Sequence, residues 1–132
     1  MLLGPATISL FADDVAAAEA WYAKVLGTEA YFKRDLDGVL VYAEFRIGDH
    51  QTELGLVDSR FAVGGQQDKP GGAVLYWHVD DVTVACERLL DMGATPHQQV
   101  TERGPGFTTA SVVDPFGNIL GVMYNQHYVD TQ

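Results

Sequence analysis

The chain has 132 residues, 47% of them hydrophobic and 20% charged, which suits one domain or two small modules sharing one core. Eight Lys and Arg residues against eighteen Asp and Glu give a formal net charge of −10, which argues against nucleic acid or a membrane as a partner. The single cysteine excludes a disulfide framework within the chain and a four-cysteine zinc site. No basic leader precedes the first acidic residues, so a cytoplasmic location is expected.

The first half of the chain predicts a strand, a helix and three further strands. A β-rich run at residues 7–12 leads to Asp14, a residue suited to cap the N-terminus of a helix. An apolar stripe at near-helical spacing follows and ends at Gly27. Strands are predicted at residues 29–33, 39–47 and 53–57, with a hairpin turn at residues 48–51.

The second half predicts the same order of elements. A β-rich run at residues 74–79 precedes Asp81, and a helical pattern then runs to Gly93. The strands that follow are predicted at residues 97–102, 107–113 and 119–124, with turns at residues 103–106 and 114–118. The tail after Asn125 is expected to be an exposed end or an arm that touches a second subunit.

The two halves are also related in sequence. TISLFADDV at residues 7–15 matches VLYWHVDDV at residues 74–82, and LGLVD at residues 54–58 matches LGVMY at residues 120–124. The fold class predicted is α+β, with two tandem βαβββ modules at residues 5–58 and 73–125 in a single domain over residues 1–132. Residues 59–72, rich in glycine, are interpreted as a flexible connector or as a lid over a cavity.

Three stretches resemble the vicinal oxygen chelate superfamily of glyoxalases, bleomycin-resistance proteins and extradiol dioxygenases. They are ISLFADD with AWYAKVLG, then YWHVDDV, and above all DPFGNILGVMYN at residues 114–125. The resemblance covers about residues 5 to 125. It implies that the paired modules form a curved mixed sheet around a ligand cavity, and that the protein works as a homodimer.

The resemblance also implies a divalent metal held by side chains on the first and last strands of each module. The corresponding positions here are Thr7 and Gly55 in the first module and Val74 and Gly121 in the second. Only Thr7 offers an oxygen donor, whereas a chelated metal needs several. We therefore expect no metal cofactor. A displaced site is the alternative, with Glu53, His50 and His78 as its first candidates, and His97 and Glu102 as further ones.

Strand alternation predicts which side chains face the cavity. In the third predicted strand the apolar residues at 41, 43 and 45 should pack on the helices, leaving Tyr42 and Glu44 for the cavity. Over both modules the predicted ligand-binding residues are Ser9, Phe11, Tyr42, Glu44, Glu53, Tyr76 and His78. Aromatic walls with a few carboxylates are typical of sites for small cationic or aromatic molecules.

The leading hypothesis is a metal-independent protein of the bleomycin-resistance type that binds a small molecule in this cavity. The alternative is a metal-dependent lyase or isomerase of the glyoxalase I type with a displaced site. A third hypothesis is metal-free acid–base catalysis by Glu44, Glu53 or His78.

Overall fold

The computed structural model describes residues 1–64 and 69–132, which form two compact units on either side of residues 65–68. Residues 1–64 are termed unit 1 and residues 69–132 unit 2. The predicted connector or lid at residues 59–72 falls partly outside the described residues. Its first part is a single 3-10 turn over Ser59–Phe61.

Unit 1 contains one helix and one four-stranded sheet. Its elements are β1 (Thr7–Ala12), α1 (Val15–Leu26), β2 (Phe32–Leu36), β3 (Val39–Ile47) and β4 (Thr52–Asp58). The strand order is β1-β4-β3-β2, with β1 parallel to β4 and the other pairs antiparallel. Unit 1 is thus one βαβββ module with a mixed sheet.

Unit 2 repeats this topology. Its elements are β5 (Leu75–His78), α2 (Val82–Asp91), β6 (Thr95–Gly104), β7 (Phe107–Val113), β8 (Ile119–Asn125) and α3 (Gln126–Asp130). The strand order is β5-β8-β7-β6, again with one parallel and two antiparallel pairs. The α+β fold with two tandem βαβββ modules is confirmed.

Both long helices begin as predicted. The Asp14 carboxylate accepts a hydrogen bond from the backbone N–H of Ala17 at 3.0 Å, and the Asp81 carboxylate accepts one from Val84 N–H at 3.0 Å. These bonds satisfy first-turn amides that have no partner within the helix. Gly27 ends α1 in the left-handed conformation, at φ 69°.

Each helix packs on one face of its own sheet, and this burial leaves the other face for a site. In β3, Val41, Ala43 and Phe45 are buried, and α1 packs against β3 and β4. In unit 2, Ala110 and Val112 of β7 are buried on the side of α2. The prediction that the apolar residues of β3 face the helix is confirmed, so Tyr42 and Glu44 lie on the opposite face.

The predicted bounds of β2 are wrong, because the strand covers Phe32–Leu36 rather than residues 29–33. Asp37 and Gly38 have φ values of 52° and 78°, so both adopt the left-handed conformation and form a two-residue hairpin turn. Asp-Gly is a preferred sequence for such a turn. The turn fixes the end of β2 at Leu36.

One further sequence boundary needs correction in unit 2. Strand β6 extends over Thr95–Gly104, so the turn predicted at residues 103–106 is limited to Pro105 and Gly106. The tail continues as the short exposed helix α3, whose N-terminus is capped by the Asn125 side chain accepting from Tyr128 N–H at 3.3 Å.

Candidate functional site

The face of the unit 1 sheet opposite α1 carries most of the predicted ligand-binding residues. The pairing of β1 with β4 places Ser9 opposite Gly55 and Phe11 opposite Val57. The pairing of β3 with β4 places Glu44 opposite Gly55. Three strands therefore contribute neighbouring side chains to this face.

Tyr42 lies directly over Gly55. A Cβ atom at Gly55 would come within 2.7 Å of the Tyr42 Oη and 3.0 Å of its Cε1. Real Cβ atoms essentially never approach other atoms this closely, so the tyrosine ring occupies space that only glycine leaves free. At the position to which the resemblance assigns a metal ligand, an aromatic ring thus packs on a glycine.

A polar cluster surrounds the Tyr42 hydroxyl. The hydroxyl donates a hydrogen bond of 2.6 Å to Glu44 Oε1. Nearby, Glu53 accepts a hydrogen bond from the Thr7 hydroxyl at 3.2 Å and lies 3.9 Å from the Arg46 guanidinium. Glu53 is thus the carboxylate that pairs with the guanidinium, and Glu44 is the one bonded to the tyrosine.

Burial and like charge set the acidity of this cluster. Burial raises the pKa of Glu44, the negative charge of Glu53 raises it further, and Arg46 acts against both. Burial, followed by the charge of Glu53, also raises the pKa of the Tyr42 hydroxyl. The pair is therefore suited to donate and accept hydrogen bonds with a bound polar group.

A cavity of about 520 Å³ adjoins Tyr42 on the side of β2. The residues that line it are Phe32, Arg34, Asp35, Leu36, Val41, Tyr42, Val57 and Phe61. The rings of Phe32 and Tyr42 meet edge to face, with centroids 6.2 Å apart. The size and the mainly apolar lining are typical of small-molecule sites.

Unit 2 has a second ring seated on a glycine. A Cβ atom at Gly121 would come within 2.6 Å of Tyr76 Cδ1 and 3.0 Å of Val74 Cγ1. Tyr76 pairs directly with Gly121 across the β5–β8 ladder, whereas Tyr42 reaches Gly55 from β3. Gly55 and Gly121 occupy corresponding positions in the two modules. The tyrosines that cover them do not, because Tyr42 comes from β3 whereas Tyr76 comes from β5, the counterpart of β1.

His78 is enclosed by aromatic side chains and the start of α3. Its ring stacks on Tyr128, with centroids 4.5 Å apart and planes inclined by 17°, and the Tyr124 ring lies 5.2 Å away. His78 Nδ1 accepts a hydrogen bond from the Asn125 backbone N–H at 3.2 Å, which places the proton of the neutral ring on Nε2. Nδ1 is thus engaged within unit 2.

The residues at the implied metal positions do not fit a divalent cation. Thr7 provides one hydroxyl, which is already bonded to Glu53, and Val74, Gly55 and Gly121 provide no side-chain donor. Within residues 1–64 and 69–132, no three His, Cys, Asp or Glu side chains come together in a way that could hold a metal ion. Of the candidates for a displaced site, His50 lies in an exposed turn of unit 1 and His78 contacts Tyr128 within unit 2.

The structure divides the predicted site between the units. Ser9, Phe11, Tyr42, Glu44 and Glu53 lie together on the unit 1 sheet face, and Tyr76 and His78 lie in unit 2. Whether each of them contacts a ligand stays a prediction.

Sequence reasoning missed the part of the cavity formed by β2. Arg34, Asp35 and Leu36 lay beyond the predicted end of that strand and were not considered as site residues. The Asp37-Gly38 turn was the available signal, because it would have extended the strand to Leu36.

Comparison with known proteins agrees with this architecture. The model of the Glyoxalase/Bleomycin resistance protein/Dioxygenase superfamily matches residues 4–122. No curated protein matches the chain significantly. Among the described residues, none of the helices has the length and apolar character needed to cross a membrane.

Solved structures share the fold at low sequence identity. A glyoxalase-related enzyme from Fulvimarina pelagi is 22% identical over 95% of this chain and 90% of its own, with a TM-score of 0.75. A lactoylglutathione lyase from Agrobacterium tumefaciens is 23% identical over 97% and 98%, with a TM-score of 0.66. A superfamily member from Sphaerobacter thermophilus is 22% identical over 93% and 98%, with a TM-score of 0.70. Together with the repeated βαβββ topology, the family match establishes that the chain belongs to the Glyoxalase/Bleomycin resistance protein/Dioxygenase superfamily.

Proposed function

We propose that the protein binds a small molecule with an aromatic or apolar body and a cationic group, without a metal, on the sheet face of unit 1. The observation that carries the proposal is the seating of Tyr42 on Gly55, at a position where the resemblance implies a metal ligand. A glycine covered by an aromatic ring supplies contact area for a ligand and no donor for a cation.

The surroundings of Tyr42 support the same class of ligand. The cavity beside the ring presents Phe32 and Phe61 as apolar contacts. Near the hydroxyl of the ring, Glu44 and Glu53 outnumber the one guanidinium of Arg46. Aromatic faces and excess negative charge both favour a cation with an apolar body.

Thermal unfolding with tryptamine tests the proposal, because this probe combines an aromatic ring with an ammonium group. A ligand that binds only the folded chain at ~100 times its Kd stabilises it by about 2.7 kcal/mol, so saturating tryptamine should raise Tm by several degrees. Tyr42→Ala should abolish the shift, and circular dichroism should show that this variant is folded.

Tyr76→Ala is the matched variant, since it removes the other ring seated on a glycine. The proposal is contradicted if Tyr76→Ala abolishes the tryptamine shift while Tyr42→Ala retains it. That result would assign the ligand to unit 2.

Elemental analysis tests the proposed metal independence. We expect no stoichiometric Zn, Ni, Fe or Mn in the purified protein, and no change in tryptamine affinity after treatment with EDTA. A stoichiometric metal whose removal weakens the binding of tryptamine would instead support the glyoxalase-type alternative.

We also propose that the protein is a homodimer, on the strength of its resemblance to a superfamily with many dimeric members. Sedimentation equilibrium should give twice the chain mass of 14.4 kDa. A mass of one chain at all concentrations tested would contradict the proposal.

A further inference from the structure

We propose that Glu44, and not Glu53, binds the cationic group of the unit 1 ligand, and that a proton competes with the ligand for this carboxylate. The inference rests on the proposed function, since it names the residue that selects the ligand's charge at the same site. It makes the binding of the ligand depend on pH.

Glu53 already has a partner for each of its carboxylate oxygens. Oε1 accepts the hydrogen bond from the Thr7 hydroxyl at 3.2 Å, and Oε2 lies 3.9 Å from Arg46 Nη1. Thr7 and Arg46 are also the residues paired with Glu53 in the two ladders, so the strand register holds them beside it. A ligand cation at Glu53 would therefore have to compete with a guanidinium that is already in place.

The two arginines of this sheet face leave Glu44 without an ion pair. In addition to its ion pair, the guanidinium of Arg46 lies 4.8 Å from the centroid of the Tyr31 ring. Arg34 lies 6.0 Å from the centroid of the Phe32 ring. Within the described part of the chain, no cationic side chain comes within 4.0 Å of the Glu44 carboxylate.

The Glu44 carboxylate keeps one oxygen open for a ligand. Its Oε1 accepts the 2.6 Å hydrogen bond from the Tyr42 hydroxyl, and Oε2 accepts none from the described residues. The residues paired with Glu44 on the two neighbouring strands are Phe32 and Gly55, and neither has a polar side chain. A half-buried negative charge with apolar neighbours gains from a charge-assisted hydrogen bond with a ligand cation.

The apolar body of the same ligand fits beside Glu44. Phe32 pairs with Glu44 across the β2–β3 ladder, Tyr42 is bonded to it, and both rings line the cavity described above. Phe32 is 43% exposed, so a ligand body that covers its ring removes apolar surface from water. One small molecule can therefore place its cation at Glu44 and its apolar body in the cavity.

A proton is the natural competitor for this carboxylate. Burial raises the pKa of Glu44 and the charge of Glu53 raises it further, whereas Arg46 lowers it. The titratable and charged groups around Glu44 are Tyr42 and Arg46 on its own strand, Glu53 on β4, and Tyr31 and Arg34 at β2; β1 contributes only uncharged side chains.

The sign of the pH dependence follows from this competition. The pKa of the Tyr42 hydroxyl is raised as well, so the tyrosine stays protonated at neutral pH. A ligand ammonium binds the ionised form of Glu44, and below the raised pKa its binding must release the Glu44 proton to the solvent. The affinity is therefore highest above this pKa and falls as the pH drops through it.

Calorimetric titration with tryptamine from pH 8 to pH 5 tests the inference, because the tryptamine ammonium stays protonated over this range. The affinity should fall with pH, by at most about tenfold per pH unit where Glu44 is protonated. At pH 5 the binding enthalpy should vary with the ionisation enthalpy of the buffer, which reports the released proton. 3-Methylindole has the same ring without the charge, so it should bind more weakly and lose no affinity at low pH.

Two substitutions distinguish the carboxylates. Glu44→Gln should weaken tryptamine roughly tenfold at pH 8 and remove the pH dependence, and its amide oxygen can still accept from the Tyr42 hydroxyl. Glu53→Gln should keep the pH dependence but shift it to lower pH, because the charge that raises the Glu44 pKa is lost. Glu29→Gln, at an exposed position of unit 1, is the matched control and should change neither the affinity nor its pH dependence.

The outcomes separate this inference from the proposed function. If tryptamine binds the unsubstituted chain equally well at pH 8 and pH 5, the competition with a proton is refuted and the proposed function stands. If Glu53→Gln abolishes binding while Glu44→Gln retains it, Glu53 binds the cation and the inference is wrong. If tryptamine binds at no pH, both the inference and the proposed function are refuted.

Discussion

At the scale of single residues, two glycines determine what the two sheet faces present. Gly55 and Gly121 each lie beneath a tyrosine ring, and the hypothetical Cβ contacts of 2.7 Å and 2.6 Å leave no space for a larger residue. Each glycine thereby fixes the position of an aromatic ring that is only partly buried. The sequence shows the glycines, but their function depends on which tyrosine reaches them.

Alanine at either glycine should destabilise the fold. In Gly121→Ala the new methyl group meets the Tyr76 ring near its attachment to Cβ, so the ring must swing away, and we expect a loss of ~1–3 kcal/mol in the free energy of unfolding. In Gly55→Ala the methyl group meets the Tyr42 hydroxyl and displaces it from Glu44. Urea unfolding measures both losses.

Gly104→Ala is the control for these substitutions, since no atom lies within 4 Å of the added Cβ and the residue has no positive φ. Its stability should stay close to that of the unsubstituted chain. In the double variant Tyr76→Ala with Gly121→Ala the two losses should be less than additive, because the clash disappears with the ring. If the losses in free energy of unfolding of the two single variants add in full, the close contact between Tyr76 and Gly121 is refuted.

Glu44 should make the stability of the fold depend on pH. Its pKa is raised in the folded state above the usual 4.5, chiefly by burial, so the folded chain holds this proton more tightly than the unfolded chain does. The resulting stabilisation is complete below pH 4.5 and is lost as the pH rises through the raised pKa.

Urea unfolding of Glu44→Gln over pH 4 to 7 measures this contribution. The variant should gain stability relative to the unsubstituted chain as the pH rises, since glutamine has no proton to lose. Glu29→Gln, at an exposed position, provides the comparison. Its free energy of unfolding should differ from that of the unsubstituted chain by the same amount at every pH. The expectation is contradicted if the free energy of unfolding of Glu44→Gln also keeps a constant difference from that of the unsubstituted chain over this pH range.

At the scale of elements, local sequence signals decide where helices and hairpins begin and end. The two aspartate caps were correctly predicted because the preference for Asp at this position is local and strong. The start of β2 was predicted wrongly because residues 29–33 have no strong β pattern, and the Asp37-Gly38 turn was not used.

Removing either helix cap should lower stability by a similar amount. Asp14→Ala and Asp81→Ala each leave a first-turn N–H without its side-chain acceptor, at a cost of ~1 kcal/mol. Thermal unfolding should show both as a lower Tm. Asp49→Ala removes the same charge from the exposed hairpin turn and should change Tm little, and an equal loss in that variant would mean that charge alone explains the effect.

At the scale of the whole molecule, the net charge of −10 should produce self-repulsion that salt relieves. We expect Tm to rise as NaCl is increased from 10 to 300 mM, because the screening length falls from ~30 Å to below 10 Å over this range. A fall in Tm over this range would show that specific ion pairs outweigh the repulsion. The cytoplasmic location expected from the sequence stays a prediction.

The sequence by itself determined the repeated βαβββ order, the helix caps, the buried side of β3 and the lack of a side-chain donor at three of the four implied metal positions. These features follow from local propensities, from strand alternation and from residue identity, none of which requires knowledge of distant contacts. Only the tertiary structure decided that Tyr42 and Tyr76 lie on glycines, that His78 contacts Tyr128, and that Arg34 and Asp35 share a cavity. The contacts of the tyrosines and of His78 depend on strand register, which brings together residues far apart in the chain and leaves no local mark in the sequence.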